Sequence, residues 1–205
     1  MARPKSASFE LNRDDILNQA ALCFAARSYL GASMNDIAAA SGTSKARLYH
    51  YYGAKESILF DLLDRYTQRL LSLIGQAEAT AQRRKLDDRA TLHELVRSFL
   101  TEYETSATRH VALLNDTQFL GEAQRELILN RQRDVVSAVT RFLCRAYPER
   151  VTAANQTAIT MMLFGMINWT FTWLKPQGAM SYGAFANEVI AMLERGLAGV
   201  DGAKP

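Results

Sequence analysis

At 205 residues, 48% hydrophobic and 22% charged, the chain fits a soluble protein long enough to bury a sizeable core. Two cysteines, Cys23 and Cys144, stand far apart in apolar stretches and exclude both a disulfide framework and a cysteine metal site. A formal net charge of +3 is too small to point to nucleic acid by itself, so any such argument must rest on local clustering.

Residues 1–10 are polar, carry Arg3 and Lys5, and lack a secretory apolar region, so the expected compartment is the cytoplasm. The basic arm at residues 1–5 suits a minor groove, although such arms are somewhat more often plain disordered termini. A first helix is expected over 13–28 after an Asn12 cap, with Ile16, Ala20, Cys23 and Phe24 as its inner stripe.

Residues 33–55, SMNDIAAASGTSKARLYHYYGAK, carry the most information. Ser33 caps a short helix and Asp36, three residues on, completes a capping-box pattern; Ile37, Ala38 and Ala40 give a small inner face. Gly42 ends that helix, because glycine enters the left-handed region without steric cost. Ser44 caps the next, in which Leu48 and Tyr52 lie one turn apart and face inward. Lys45, Ala46, Arg47, Tyr49 and His50 then fall mostly on other faces. Two helices joined this tightly form a helix-turn-helix, whose second helix enters the major groove of DNA. From 43 to 55 there are three cations, Lys45, Arg47 and Lys55, and no acid, so this face meets a polyanion with little repulsion. A three-cation segment alone is more often a solvated loop; the helical context decides otherwise here.

A fourth helix starts near Lys55, with Ile58, Leu59, Leu62, Leu63, Tyr66, Leu70 and Leu73 at helical spacing, and a polar loop is expected over 82–89. Leu92, Leu95, Val96, Phe99, Leu100 and Tyr103 mark a fifth helix. Others are expected over 108–119, 122–147, 152–174 and, with a Ser181 cap, 182–197, giving an all-α chain of about nine helices. Residues 158–174 carry no charge but are short for a bilayer and contain Asn168; they read as a buried helix, covered in part by a second subunit, and not as a membrane span.

No phosphate-binding or dinucleotide-binding glycine loop, nucleophile elbow or HExxH motif is present. The residues three before His50, His93 and His110 are Arg47, Ala90 and Ala107, so the Glu-x-x-His pairs of a di-iron bundle are absent too. Neither an enzyme nor a metal site is expected. The runs Arg83-Arg84-Lys85 and Arg131 with Arg133 read first as solvated faces.

The stretch 16–58, with its IA-x-x-x-G block at 37–42, S-K-x-x-L-Y-x-Y at 44–51 and Lys55-Glu56, resembles the N-terminal domain of the TetR family of bacterial transcriptional regulators. The resemblance implies that Asn35, Lys45, Ala46, Arg47 and Tyr49 lie near base edges, and that Ser33, Ser44, Tyr49, His50, Tyr51 and Lys55 lie near phosphates. Ala54, a poor N-cap, stands where the family usually has serine or asparagine. The implied organisation is a DNA-binding domain over 1–54 and a ligand-binding and dimerisation domain over 55–205. It further implies a homodimeric, ligand-responsive repressor on a near-palindromic double-stranded operator, with no cofactor. A DNA-binding module without a small-molecule ligand is the alternative. The helices at 152–174 and 182–197 would form the four-helix interface, with Phe185, Val189, Met192 and Leu193 on its seam.

Residues 165–178, GMINWTFTWLKPQG, resemble a segment of family members that control fatty-acid, steroid and aromatic-acid breakdown, several of which respond to acyl-coenzyme A thioesters. Trp169 and Trp173 are one turn apart, Met162 and Met166 share a neighbouring face, and Asn168 adds one polar group, a composition that suits an effector pocket. Asn115, Gln118 and Arg133 would contribute from adjacent helices, and Arg131, Arg133 and Lys175 would face a charged carrier. The tryptophans equally suit a core or a subunit seam.

Overall fold

A computed structural model describes residues 7–197, with side chains from residue 12 onward. Among these the protein is all-α: α1 (Ala7–Gly31), α2 (Met34–Ala40), α3 (Lys45–Tyr51), α4 (Lys55–Arg84), α5 (Asp88–Thr105), α6 (Ala107–Asn115), α7 (Glu122–Ala146), α8 (Gln156–Asn168), α9 (Thr170–Trp173) and α10 (Tyr182–Leu197). A 3-10 turn, Thr117–Phe119, follows α6. Only Trp169 separates α8 from α9, so these two short helices occupy the place of one expected apolar helix. The basic arm at residues 1–5 lies outside the described residues, and among the described residues no helix is long and apolar enough to cross a membrane.

Several boundaries move for local reasons. Helix α1 begins well before Asn12, with neither proline nor glycine between residue 7 and Asn12 to stop it, so Asn12 is not a cap and its amide donates to the Tyr51 hydroxyl at 3.2 Å. Ser28 interrupts the same helix at φ 59°, ψ 167°, a backbone region rarely taken by serine. The loop expected over 82–89 shrinks to three residues, because Gln82, Arg83 and Arg84 are good helix formers and prolong α4. Lys85 then turns the chain at φ 52°, and the Asp87 carboxylate accepts the Ala90 amide at 2.7 Å to open α5. The apolar helix expected from 152 starts at Gln156, since Asn155 folds residues 150–155 into a turn by accepting the Thr152 amide at 2.8 Å.

The chain divides into two compact units, Met1–Thr67 with Thr108–Leu129, and Gln68–Ala107 with Asn130–Pro205. This differs from a division at residue 54. The first unit takes in the start of α4 and the α6–α7 corner because those segments are bonded to α1–α3. Glu56 accepts the Gly121 amide at 2.7 Å, Tyr29 stacks on Phe119 with ring centres 5.2 Å apart, and Arg109 donates to Asn18. Tyr66 and His110 share a buried hydrogen bond of 3.1 Å. Ile16, Ala20, Phe24, Ile37, Leu48, Ile58, Leu59 and Leu62 fill its core, each large aliphatic contributing about 1.5–3 kcal/mol on burial. Cys23, placed by periodicity on the inner stripe, is only half-buried, and Ala40 is exposed.

In the second unit, α5 packs on α10 and presents Leu92, Leu95, Val96, Phe99, Leu100 and Tyr103 to the core, as its spacing predicts. Ser181 caps α10 by accepting the Ala184 amide at 3.1 Å.

Candidate nucleic-acid interface and effector region

The head of the first unit is built by short-range chemistry. The Ser33 hydroxyl accepts the Asp36 amide at 3.2 Å, while the Asp36 carboxylate accepts the Ser33 amide at 2.9 Å and its hydroxyl at 2.6 Å. The Ser33 hydroxyl and amide, assisted by Arg27, hold the Asp36 carboxyl below the usual carboxylate range. At the other end of α2, Gly42 takes φ 59°, so its amide reaches Ala39 O at 3.1 Å and the Thr43 amide reaches Ala38 O at 3.0 Å. The chain thereby reverses in three residues. Ser44 caps α3 by accepting the Arg47 amide at 3.1 Å.

Helix α3 is anchored by one fully buried side chain, Leu48, and by Tyr52, its C-cap residue. Lys45, Ala46, Arg47, Tyr49 and His50 are exposed along it, and Ser33, Asn35 and Ser44 are exposed beside it. Tyr51 is half-buried and tethered by Asn12. Nine of the ten residues expected at DNA therefore gather around α2 and α3.

Lys55 is the exception. Its ammonium turns inward and donates to Tyr29 O at 2.6 Å and Ala32 O at 2.7 Å, 4.2 Å from the Tyr29 ring centre. It closes carbonyls at the end of α1, and a cation satisfied by two carbonyls and a ring face has little left to offer a third partner. Lys55→Ala should lower unfolding stability by about 1.5–3 kcal/mol, the range for hydrogen bonds to charged groups. Urea unfolding measures this. An unchanged unfolding curve with a shallower salt dependence of binding to random DNA would return Lys55 to the phosphates.

Sequence reasoning missed an ionic cluster behind α3. Tyr52 donates to Asp61 at 2.5 Å, Arg13 lies 2.9 Å from the same carboxylate oxygen, and Arg65 donates to the other at 3.1 Å. The available signal was a tyrosine on a buried face, since its hydroxyl requires a partner.

The residues expected around an effector fall in both units. Asn115 and Gln118 lie exposed in the first unit, where Gln118 donates to Asn115 O at 2.9 Å. The others belong to the second. Met162 and Met166 line an apolar surface groove of about 480 Å³ with Ile159, Gly165, Met192 and Leu193. Asn168 accepts the Tyr103 hydroxyl at 3.2 Å, and burial pushes the Tyr103 phenol above its ordinary range. Trp169 and Trp173 are 54% and 52% exposed; the first lies against Phe171 and the second meets Phe185 edge-on at 5.1 Å. The break at Trp169 gives them different neighbours although they are four apart in sequence. Arg133 is exposed and donates to Asn130 at 2.6 Å, Arg131 is half-buried, and Lys175 is exposed.

The four residues expected on the seam differ in exposure. Val189 and Leu193 are 1% and 6% exposed within a single chain, so they belong to its own core; Met192 and Met162, at 63% and 68%, carry the outward apolar face. Phe185 is half-buried.

Two family descriptions match the chain: "Bacterial regulatory proteins, tetR family" over residues 16–62 and "Tetracyclin repressor-like, C-terminal domain" over residues 85–197. The chain is similar to a solved TetR-family transcriptional regulator from Bordetella parapertussis 12822, at 34% identity over 93% of this chain and 98% of that one, with a TM-score of 0.83. It is also 34% identical over 101 residues to the HTH-type transcriptional repressor KstR2 of Rhodococcus jostii (strain RHA1), a match spanning 49% of this chain and 46% of that protein. The fold is shared with AibR, solved in complex with isovaleryl coenzyme A and operator DNA, at 23% identity, 88% and 97% coverage and a TM-score of 0.76.

Proposed function

This chain belongs to the TetR family of bacterial regulatory proteins, DNA-binding transcription factors and not enzymes, and we propose that it is a ligand-responsive repressor binding a near-palindromic operator as a homodimer. The observation that carries the reading is the α2–turn–α3 unit, capped at both helix starts, with Lys45, Arg47, Tyr49 and His50 exposed on α3 and no acid between residues 43 and 55. Asn35, Lys45, Ala46, Arg47 and Tyr49 read base edges; Ser33, Ser44, His50 and Tyr51 hold phosphates. Function divides as DNA recognition over 1–54 and effector response with dimerisation over 55–205. Such a regulator acts in the cytoplasm.

Dimerisation is supported by the outward face of α8 and α10, where the exposed Met162 and Met192 line an apolar groove. A second copy of α8 and α10 covers it in a two-fold, four-helix contact. Met162 and Met166 accordingly serve the seam.

The effector is an acyl-coenzyme A thioester. Likeness to the 165–178 segment of breakdown repressors supports this, as does the shared fold with AibR, whose crystal contains isovaleryl coenzyme A and operator DNA. Arg131, Arg133 and Lys175 supply cations for the carrier, and Asn168 the polar contact. Binding must favour a dimer whose recognition helices no longer match successive grooves, since a ligand shifts an equilibrium only by its differential affinity for the two states. Titration of short-chain acyl-coenzyme A compounds and the matching free acids into the operator complex should release DNA with the thioesters alone. Release by free acids alone, or by neither series, contradicts it.

A further inference from the structure

We infer that the Tyr52 hydroxyl, held by Asp61 from α4 and Arg13 from α1, sets the orientation of recognition helix α3, so that Tyr52 and Asp61 are positioning residues for base readout. The inference rests on the reading that α3 enters the major groove.

Helix α3 has seven residues, and most of its side chains are given over to the exposed face. Leu48 is its one buried side chain. An apolar contact holds a short helix against the core but is not directional, so it leaves rotation about the helix axis and tilt weakly determined. Hydrogen bonds are directional, and α3 is tied by them at its C-terminal end. Tyr52 closes α3 with its amide on Leu48 O at 3.0 Å, and is itself buried. Its hydroxyl donates to Asp61 Oδ2 at 2.5 Å and accepts from Arg13 Nε at 3.1 Å. The Arg13 guanidinium lies 5.6 Å from the Tyr52 ring centre.

Asp61 is itself fixed. Arg65, one turn along α4, donates to Asp61 Oδ1 at 3.1 Å and to Asp14 on α1 at 2.5 Å. A carboxylate gripped by Arg13 and Arg65 cannot swing, and it delivers that rigidity to a single hydroxyl at the end of α3. Burial, followed by the bond to Asp61, pushes the Tyr52 phenol above its ordinary range, so the hydroxyl keeps its proton and remains a donor to Asp61. Base-reading side chains need their supporting shell held to a fraction of an ångström, whereas phosphate contacts through long flexible side chains tolerate a small rotation.

The test compares three proteins, wild type, Tyr52→Phe and Tyr66→Phe, on the duplex that wild type selects from a random pool and on a scrambled duplex. Tyr52→Phe keeps the ring and its buried area and removes only the oxygen. It should lose about tenfold in affinity for the selected duplex, as for one mispositioned base contact, and stay within about twofold on the scrambled one. Tyr66→Phe removes a hydroxyl that shares a buried hydrogen bond of 3.1 Å with His110 and leaves the contacts among Tyr52, Asp61, Arg13 and Arg65 in place; it should lower the melting temperature yet keep selected-duplex affinity within about twofold. Circular dichroism verifies folding, and Asp61→Ala, which takes the acceptor from the same hydroxyl, carries the comparison if Tyr52→Phe does not fold. Tyr52→Phe with undiminished preference for the selected duplex overturns the inference. So does a loss in both variants in proportion to their fall in melting temperature. A wild type that selects no duplex instead sinks the reading of α3, and this inference with it.

Discussion

Aspartate at both Met162 and Met192 should convert the dimer to monomers and weaken operator binding by about a hundredfold, the scale on which two linked sites exceed one. Both side chains are largely exposed in the single chain, so the substitutions cost little in the monomer. In a two-fold contact each new carboxylate would meet the same surface of its mate, and an unpaired buried charge is strongly destabilising. Two half-sites bound together then become one half-site bound alone. The contrast lies at Val189 and Leu193, which fill the core of their own unit. Charge there should unfold the second unit, since truncating such a side chain already costs about 2–5 kcal/mol. Sedimentation separates the cases: a folded monomer is expected for the methionine variant, and an intact dimer would place the interface on another face.

Arg47→Ala should cost about 1–3 kcal/mol of operator affinity, the value of one good bidentate base contact, with a smaller loss on random DNA. Arg47 stands exposed on α3, and its backbone amide is the one capped by Ser44, so the side chain starts from a fixed point near the start of the helix proposed to enter the groove. Fluorescence anisotropy on selected and random duplexes at several salt concentrations measures both terms. Equal losses on the two duplexes would make Arg47 a phosphate contact; no loss on either would remove α3 from the groove.

The helix-turn-helix was legible because its determinants are local. Ser33 with Asp36, Gly42, and Ser44 with Arg47 act across three residues or fewer, and each does in the structure what its spacing predicts. The contacts of Lys55 were not legible because its partners, Tyr29 O and Ala32 O, lie 26 and 23 residues away, and a lysine in a basic run shows nothing of carbonyls left open at a distant helix end. The burial of Val189 and Leu193 within the chain itself was hidden for a related reason. Periodicity places Val189, Met192 and Leu193 along one helix but does not distinguish a face covered by the same chain from one covered by a partner. At residues 82–84 polar side chains suggested a loop although their helix propensity is high, and propensity prevailed. The apolar 158–174 segment hid its break at Trp169, where neither proline nor glycine marks the change.

Selection of duplexes from a random pool by the wild-type protein, followed by sequencing of the bound fraction, tests the central claim most directly. A two-fold dimer presenting one α3 per subunit should enrich a near-palindrome whose half-site centres lie about 34 Å apart, one turn of DNA. Enrichment of a single unrepeated half-site, or of no sequence above the starting pool, would contradict it.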